Sequence, residues 1–165
     1  MSAAKKEKLP WDIKQQCLWI VRGYDRQRRE YMKARREILD AGSAARFTTY
    51  VVNGEERRAF LPSAHTASRT TEDRQMQLEA LEHTAAFRQM RAVEHARAGI
   101  GKDLPREMGD RLRDAIMLNC MDGRKYPFER LCVVGLERTT FYRARNGFLL
   151  QIAVELGLFR GETTK

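Results

Sequence analysis

A stretch running from Leu9-Pro10-Trp11-Asp12 to about Asp40 carries its one proline in the first turn, and Gly42 stands just past its end. Proline is tolerated at a helix start and glycine favours a helix stop, so this stretch predicts one long helix. Ile13, Cys17, Ile20, Tyr24, Gln27, Tyr31, Ala34 and Ile38 recur at alternating spacings of four and three, a heptad-like seam weakened at Gln27 and Ala34. A helix of that length extends roughly 40 Å and cannot bury one face against itself. It needs a second helix, from this chain or from another copy, and that requirement sets the fold class as mainly α. Its opposite face, Arg22, Arg26, Arg29, Lys33 and Arg36, reads first as a solvated basic face.

The helical pattern breaks over residues 46–68. Phe47-Thr48-Thr49-Tyr50-Val51-Val52 has strand character, Asn53-Gly54 is a strong two-residue hairpin signal, and Glu55 to Leu61 returns. Such a turn places Val52 opposite Glu55 and Phe47 opposite Phe60. Pro62 to Ser68 reads as a linker. A second long helix is expected from about Thr71 to Ile100, capped by Thr70 or Thr71 and carrying Leu78, Leu81, Ala85, Ala86, Met90, Val93 and Ile100 as a drifting apolar stripe. Its simplest packing is antiparallel to the first helix. Gly99-Ile100-Gly101-Lys102-Asp103 is not a phosphate-binding loop: Ala96 and Asp103 stand where Gly and Ser or Thr are required, and a helix precedes it.

From Pro105 a third helix places Met108, Leu112, Ala115 and Ile116 on one face and ends near Asp122-Gly123. Arg124-Lys125-Tyr126-Pro127 leads to a short apolar segment, Phe128–Val134, and then to a turn at Gly135-Leu136. A final helix follows, with Phe141, Ala144, Phe148, Leu149, Ile152, Ala153 and Leu156 on its core face, closing at Gly157. This is the outline of a helix-turn-helix, in which a supporting helix and a tight turn present a second helix to the DNA major groove. The chain thus reads as two long helices with a small β-hairpin insertion, followed by a C-terminal trihelical helix-turn-helix unit. The boundaries are 1–45 for the basic first helix, 46–70 for hairpin and linker, 71–103 for the second helix, 104–160 for the DNA-binding unit and 161–165 for a tail.

Charge agrees with that partner. There are 31 Lys and Arg against 22 Asp and Glu, a formal net charge of +9, and the pI is near 9.8. Both ends of the chain are basic and the middle is balanced. The three cysteines, Cys17, Cys120 and Cys132, are odd in number and sit in apolar runs, which points to reduced thiols in a cytoplasmic setting. His65, His83 and His95 have no spacing toward them that would build a zinc site. No apolar run is long enough to span a membrane. No catalytic constellation or cofactor motif emerges, so no enzyme activity and no cofactor are expected.

Within the final helix, Arg138, Thr139, Tyr142 and Arg143 fall on the expected exposed side of its start and are the leading candidates for base or phosphate contacts. Thr140 either joins them or packs beneath the turn. Either arginine could pair bidentately with guanine, worth about 1–3 kcal/mol of discrimination. Arg124 and Lys125 precede the supporting segment, where contacts that position the DNA backbone are common. Arg145 and Arg130 are weaker candidates.

Cys120-x-x-Gly123-Arg124-Lys125-Tyr126-Pro127-Phe128, Leu131, Gly135-Leu136-x-Arg138-Thr139-Thr140-Phe141-Tyr142 and Ala153-x-Glu155-Leu156-Gly157-Leu158 together resemble phage and prophage regulators of the RinA and ArpU type. That resemblance spans roughly residues 71–158. It implies a helix-turn-helix similar to the promoter-reading terminal region of sigma factors, acting on late operons with bacterial RNA polymerase in the host cytoplasm, close to the nucleoid. The family usually begins its recognition helix with Ser or Thr, whereas this chain has Glu137, which suits a helix N-terminus but repels phosphate. The implied partners are double-stranded DNA, RNA polymerase and, through the long helices, a second copy of the chain; no membrane partner is expected. Two other readings stay open at this level. One is a small terminase-like DNA-recognition subunit used in packaging, and the other is a helical adaptor that binds no DNA.

Overall fold

A computed structural model describes residues 9–40, 47–52, 55–60, 64–131, 133 and 135–160. Among them the chain is mainly α. The order is α1 (Trp11–Asp40), β1 (Phe47–Val52), β2 (Glu55–Phe60), α2 (Ala64–Glu82), α3 (Ala85–Gly99), α4 (Arg106–Met121), a 3₁₀ turn (Phe128–Arg130) and α5 (Arg138–Glu155). Contacts divide it into two compact units, one of residues 1–27 with 88–165 and the other of residues 28–87.

The first unit holds the principal core. The α1 seam enters it through Cys17 and Tyr24, joined by Leu18 and Val21, all buried. As the α1 position rises from Tyr24 to Gln27, the α3 partner falls from Glu94 to Gln89. The Tyr24 hydroxyl donates to Glu94 Oε1 at 3.3 Å and Gln27 Nε2 donates to Gln89 Oε1 at 2.8 Å. The two helices are therefore antiparallel. Met90, Val93 and Ala96 present the buried α3 stripe, with Ile100 buried just past its end, and Leu112, Ala115, Ile116 and Cys120 that of α4. Two arginines tie α3 to α4. Arg97 pairs with Asp114 at 2.7 Å, and Arg113 Nε donates to the Ile100 carbonyl at 3.0 Å.

The α3–α4 connection depends on a close approach of two backbones. Gly101 has φ +65°, and a Cβ there would lie 2.9 Å from the Gly109 Cα; a Cβ on Gly109 would lie 3.0 Å from the Gly101 carbonyl oxygen. Neither position has room for a side chain. Gly101 is thus a helix-ending residue with a packing duty.

In the second unit the strands pair antiparallel, with Phe47 opposite Phe60 and Val52 opposite Glu55. Asn53 and Gly54, on which the expected turn rests, lie outside the described residues, as do Cys132 and the tail 161–165. The Tyr31 and Phe87 rings meet at 5.0 Å between centroids.

Two sequence expectations for the middle of the chain are corrected. The helix begins at Ala64, within the segment read as linker, so Thr70 and Thr71 lie inside α2 and not at its start. Ala64 and Ala67 favour helix, and no Gly or Pro interrupts residues 64–98. The expected single helix 71–100 is instead two. Thr84 ends the first by donating its hydroxyl to the Leu81 carbonyl at 2.8 Å, and begins α3 by accepting from the Phe87 N–H at 3.2 Å. A threonine side chain that satisfies the backbone in this way competes with helix continuation and caps the next helix.

Candidate nucleic-acid interface

The C-terminal elements of the first unit build the candidate interface. Pro105 occupies the N-cap of α4 and Asp122 its C-cap. Asn119 is 3% exposed, the one buried polar side chain among the described residues. Its Nδ2 donates to the Tyr126 carbonyl at 2.8 Å, and the Tyr126 N–H donates to the Asp122 carbonyl at 2.9 Å. Asp122 Oδ1 accepts from the N–H groups of both Arg124 and Lys125 at 3.1 Å. The loop carrying these two cations is therefore fixed by its own backbone bonds. Their side chains are left exposed, with Lys125 lying over the Tyr126 ring at 5.4 Å.

The expected supporting helix Phe128–Val134 is not formed. Among the described residues it is a single 3₁₀ turn, Phe128–Arg130, capped by Leu131, whose N–H donates to the Phe128 carbonyl, and Val133 lies beyond it outside any helix. Pro127 and Gly135 explain the shortening. Only seven residues separate them, Pro127 supplies no N–H, and Gly135 sits at φ +82°, a region L side chains rarely adopt. The segment holds its place through side chains instead. Phe128 stacks on the fully buried Phe141 at 5.2 Å, and Val133 is buried.

Helix α5 follows with Glu137 at its N-cap in extended backbone, making no side-chain cap bond. Phe141, Phe148, Leu149, Ile152 and Ala153 face the core. The helix ends in a Schellman arrangement: Gly157 has φ +70°, the Leu158 N–H donates to the Ala153 carbonyl at 2.8 Å, and the Gly157 N–H donates to that of Val154 at 3.0 Å. This accounts for the Glu-Leu-Gly-Leu exit seen in the sequence.

The candidate residues separate into three groups. Arg138 is exposed but engaged: its guanidinium pairs with Glu129 Oε1 at 3.1 Å and lies 5.8 Å from the half-buried Tyr142 ring, which packs edge-on against Phe141. Thr139, Thr140 and Arg143 are exposed on the outward side. The Thr139 hydroxyl donates to Glu137 Oε2 at 3.4 Å, while Arg143 makes no ion pair among the described residues. Arg145 lies elsewhere. It is half-buried, with Nε lacking a hydrogen-bond partner, and its charge reaches the buried Cys120 thiol and Lys14. Burial raises the Cys120 thiol above its ordinary range, and Arg145 offsets part of that rise; burial, then Arg145, lowers Lys14.

Asn146 was not among the sequence candidates. It is exposed, seven residues beyond Thr139 and three beyond Arg143, and so continues their row. That spacing was available in the sequence. Glu129 was also missed, and nothing in the sequence pointed to it: its partner is nine residues away across a turn.

No group of His, Cys, Asp and Glu among the described residues could hold a metal ion, and no helix there is long and apolar enough to cross a membrane. Compared with protein-family models, with curated proteins and with solved structures, the chain matches none.

Proposed function

We propose that this chain is a sequence-specific double-stranded DNA-binding regulator that lays the first half of α5 in the major groove. The observation that carries this reading is the outward row Thr139, Arg143 and Asn146, all exposed, on a helix anchored from behind by Phe141 and Phe148. Helices of this type read bases with their N-terminal residues, Arg toward guanine and Asn toward adenine. Arg124 and Lys125, on the braced loop beside it, supply phosphate contacts that set register. Arg145 takes no part, because it serves the interior. The net charge of +9 supports the same partner.

The resemblance to late-operon regulators adds a finer reading: activation of phage or prophage late genes together with bacterial RNA polymerase. The reduction of the supporting segment to one turn gives α5 a shorter brace than a full helix-turn-helix provides. Selection of bound sequences from randomised duplexes tests the DNA reading. Wild type should enrich a defined motif, and Arg143→Ala and Asn146→Ala should each relax it at one position. An unchanged motif in both variants would refute the assigned readout.

A further inference from the structure

The two tryptophans of this chain, Trp11 and Trp19, are both 74% exposed and both lie on α1. Tryptophan offers the largest apolar surface of any residue and is highly buried on average, so two on one helix face mark an interaction surface. Taken at 100° per residue, Trp11, Gln15, Trp19, Arg22 and Arg26 fall within about 80° of arc, turned away from buried Cys17, Val21 and Tyr24, while buried Leu18 borders the arc beside Trp11. The row is roughly 22 Å long. Arg22 donates Nε to the Met121 carbonyl at 3.2 Å, which holds that side chain in place, and Arg26 is exposed with no ion pair among the described residues.

Exposed tryptophan and arginine together are the residue types that dominate binding energy at protein interfaces. Charge decides what covers them. A second copy meeting this ridge through a two-fold axis would offer it only the same residues, none of them acidic, so Arg22 and Arg26 would gain no carboxylate from it. The chain's own N-terminal segment, with Lys5, Lys6 and Lys8 against Glu7, is basic as well. A partner must bring acidic groups together with apolar ones at matching helical spacing.

We propose that the ridge Trp11–Gln15–Trp19–Arg22–Arg26 is a docking site for an acidic amphipathic helix of a partner protein. Apolar side chains of that helix cover the indoles, and its carboxylates meet Arg22 and Arg26. The site lies on α1 and is independent of the DNA reading of α5.

Because no other tryptophan exists in the chain, indole emission reports on this ridge alone. The experiment titrates the full chain with a synthetic amphipathic helix of Leu and Glu, with its Leu and Lys counterpart, with duplex DNA and with anionic phospholipid vesicles. The expected result is a saturable blue shift with the acidic helix only. By anisotropy of the labelled peptide, Trp19→Ala should weaken binding about tenfold, and Arg26→Glu about fivefold. Both residues are exposed, so unchanged helicity and melting will show that the variants still fold. No blue shift with the acidic helix, or an equal shift with the basic one, would overturn the proposal. So would a larger shift with DNA or vesicles, or undiminished binding by both variants.

Discussion

Glu129 sets how available Arg138 is. The pair is exposed on both sides, 68% and 56%, so it stabilises the fold little, on the order of 0–1 kcal/mol. Its consequence is for binding, since a carboxylate at 3.1 Å competes with DNA for the same guanidinium. Glu129→Gln should tighten duplex binding severalfold and steepen its salt dependence by about one ion, measured by fluorescence anisotropy; weaker binding would show that the pair organises the site. The glycines act through space. Gly109→Ala should cost about 1–3 kcal/mol in denaturant unfolding, because its Cβ would press on the Gly101 carbonyl, and Gly101→Ala should cost at least as much, since it adds positive-φ strain. At this scale the sequence was partly transparent. Phe141 and Phe148 as core, and Thr139 and Arg143 as exposed, follow from helical spacing alone. The Glu129–Arg138 pair does not, because it depends on how a turn folds back.

Among the elements, α1, α4 and α5 were legible because their apolar periodicity agrees with their start and stop residues. The break at Thr84 was hidden, since an apolar stripe runs on either side of it and one hydroxyl decides the matter. Removing that hydroxyl in Thr84→Ala should destabilise the second unit by about 1 kcal/mol. The readout is amide exchange of Phe87, whose N–H loses its acceptor; unchanged protection would assign the break to another cause. The supporting helix was overread for a different reason. Phe128, Leu131 and Val134 have plausible helical spacing, but between Pro127 and Gly135 there is room for fewer than two turns, and a helix that short gains too little to offset its nucleation. Packing of Phe128 on Phe141 fixes the segment instead.

Over the whole molecule, the antiparallel pairing of α1 with α3 meets the demand made by a helix too long to bury itself. The division into two units was not foreseeable, because it depends on which part of each long helix meets the core. Burial has a pH consequence in the first unit. Cys17 is fully buried and its thiol is pushed up to about 11, with Cys120 raised as well. An unfolded thiol titrates near 8.5. The folded state thus holds these protons more tightly, and their contribution to stability is complete below about pH 8.5 and lost as pH rises toward 11. Urea unfolding midpoints should fall over that alkaline window, and Cys17→Ser should flatten the fall; a midpoint that stays constant there would contradict the buried placement.

The central claim, that α5 and its braced loop bind duplex DNA, is tested most directly by salt titration of duplex binding. Wild type should lose affinity linearly in log–log form, and Arg124→Ala with Lys125→Ala should make the slope shallower by roughly 1.8, two phosphate contacts at about 0.9 each. No salt-dependent duplex binding by the wild-type chain, or an identical slope in the double variant, would contradict it.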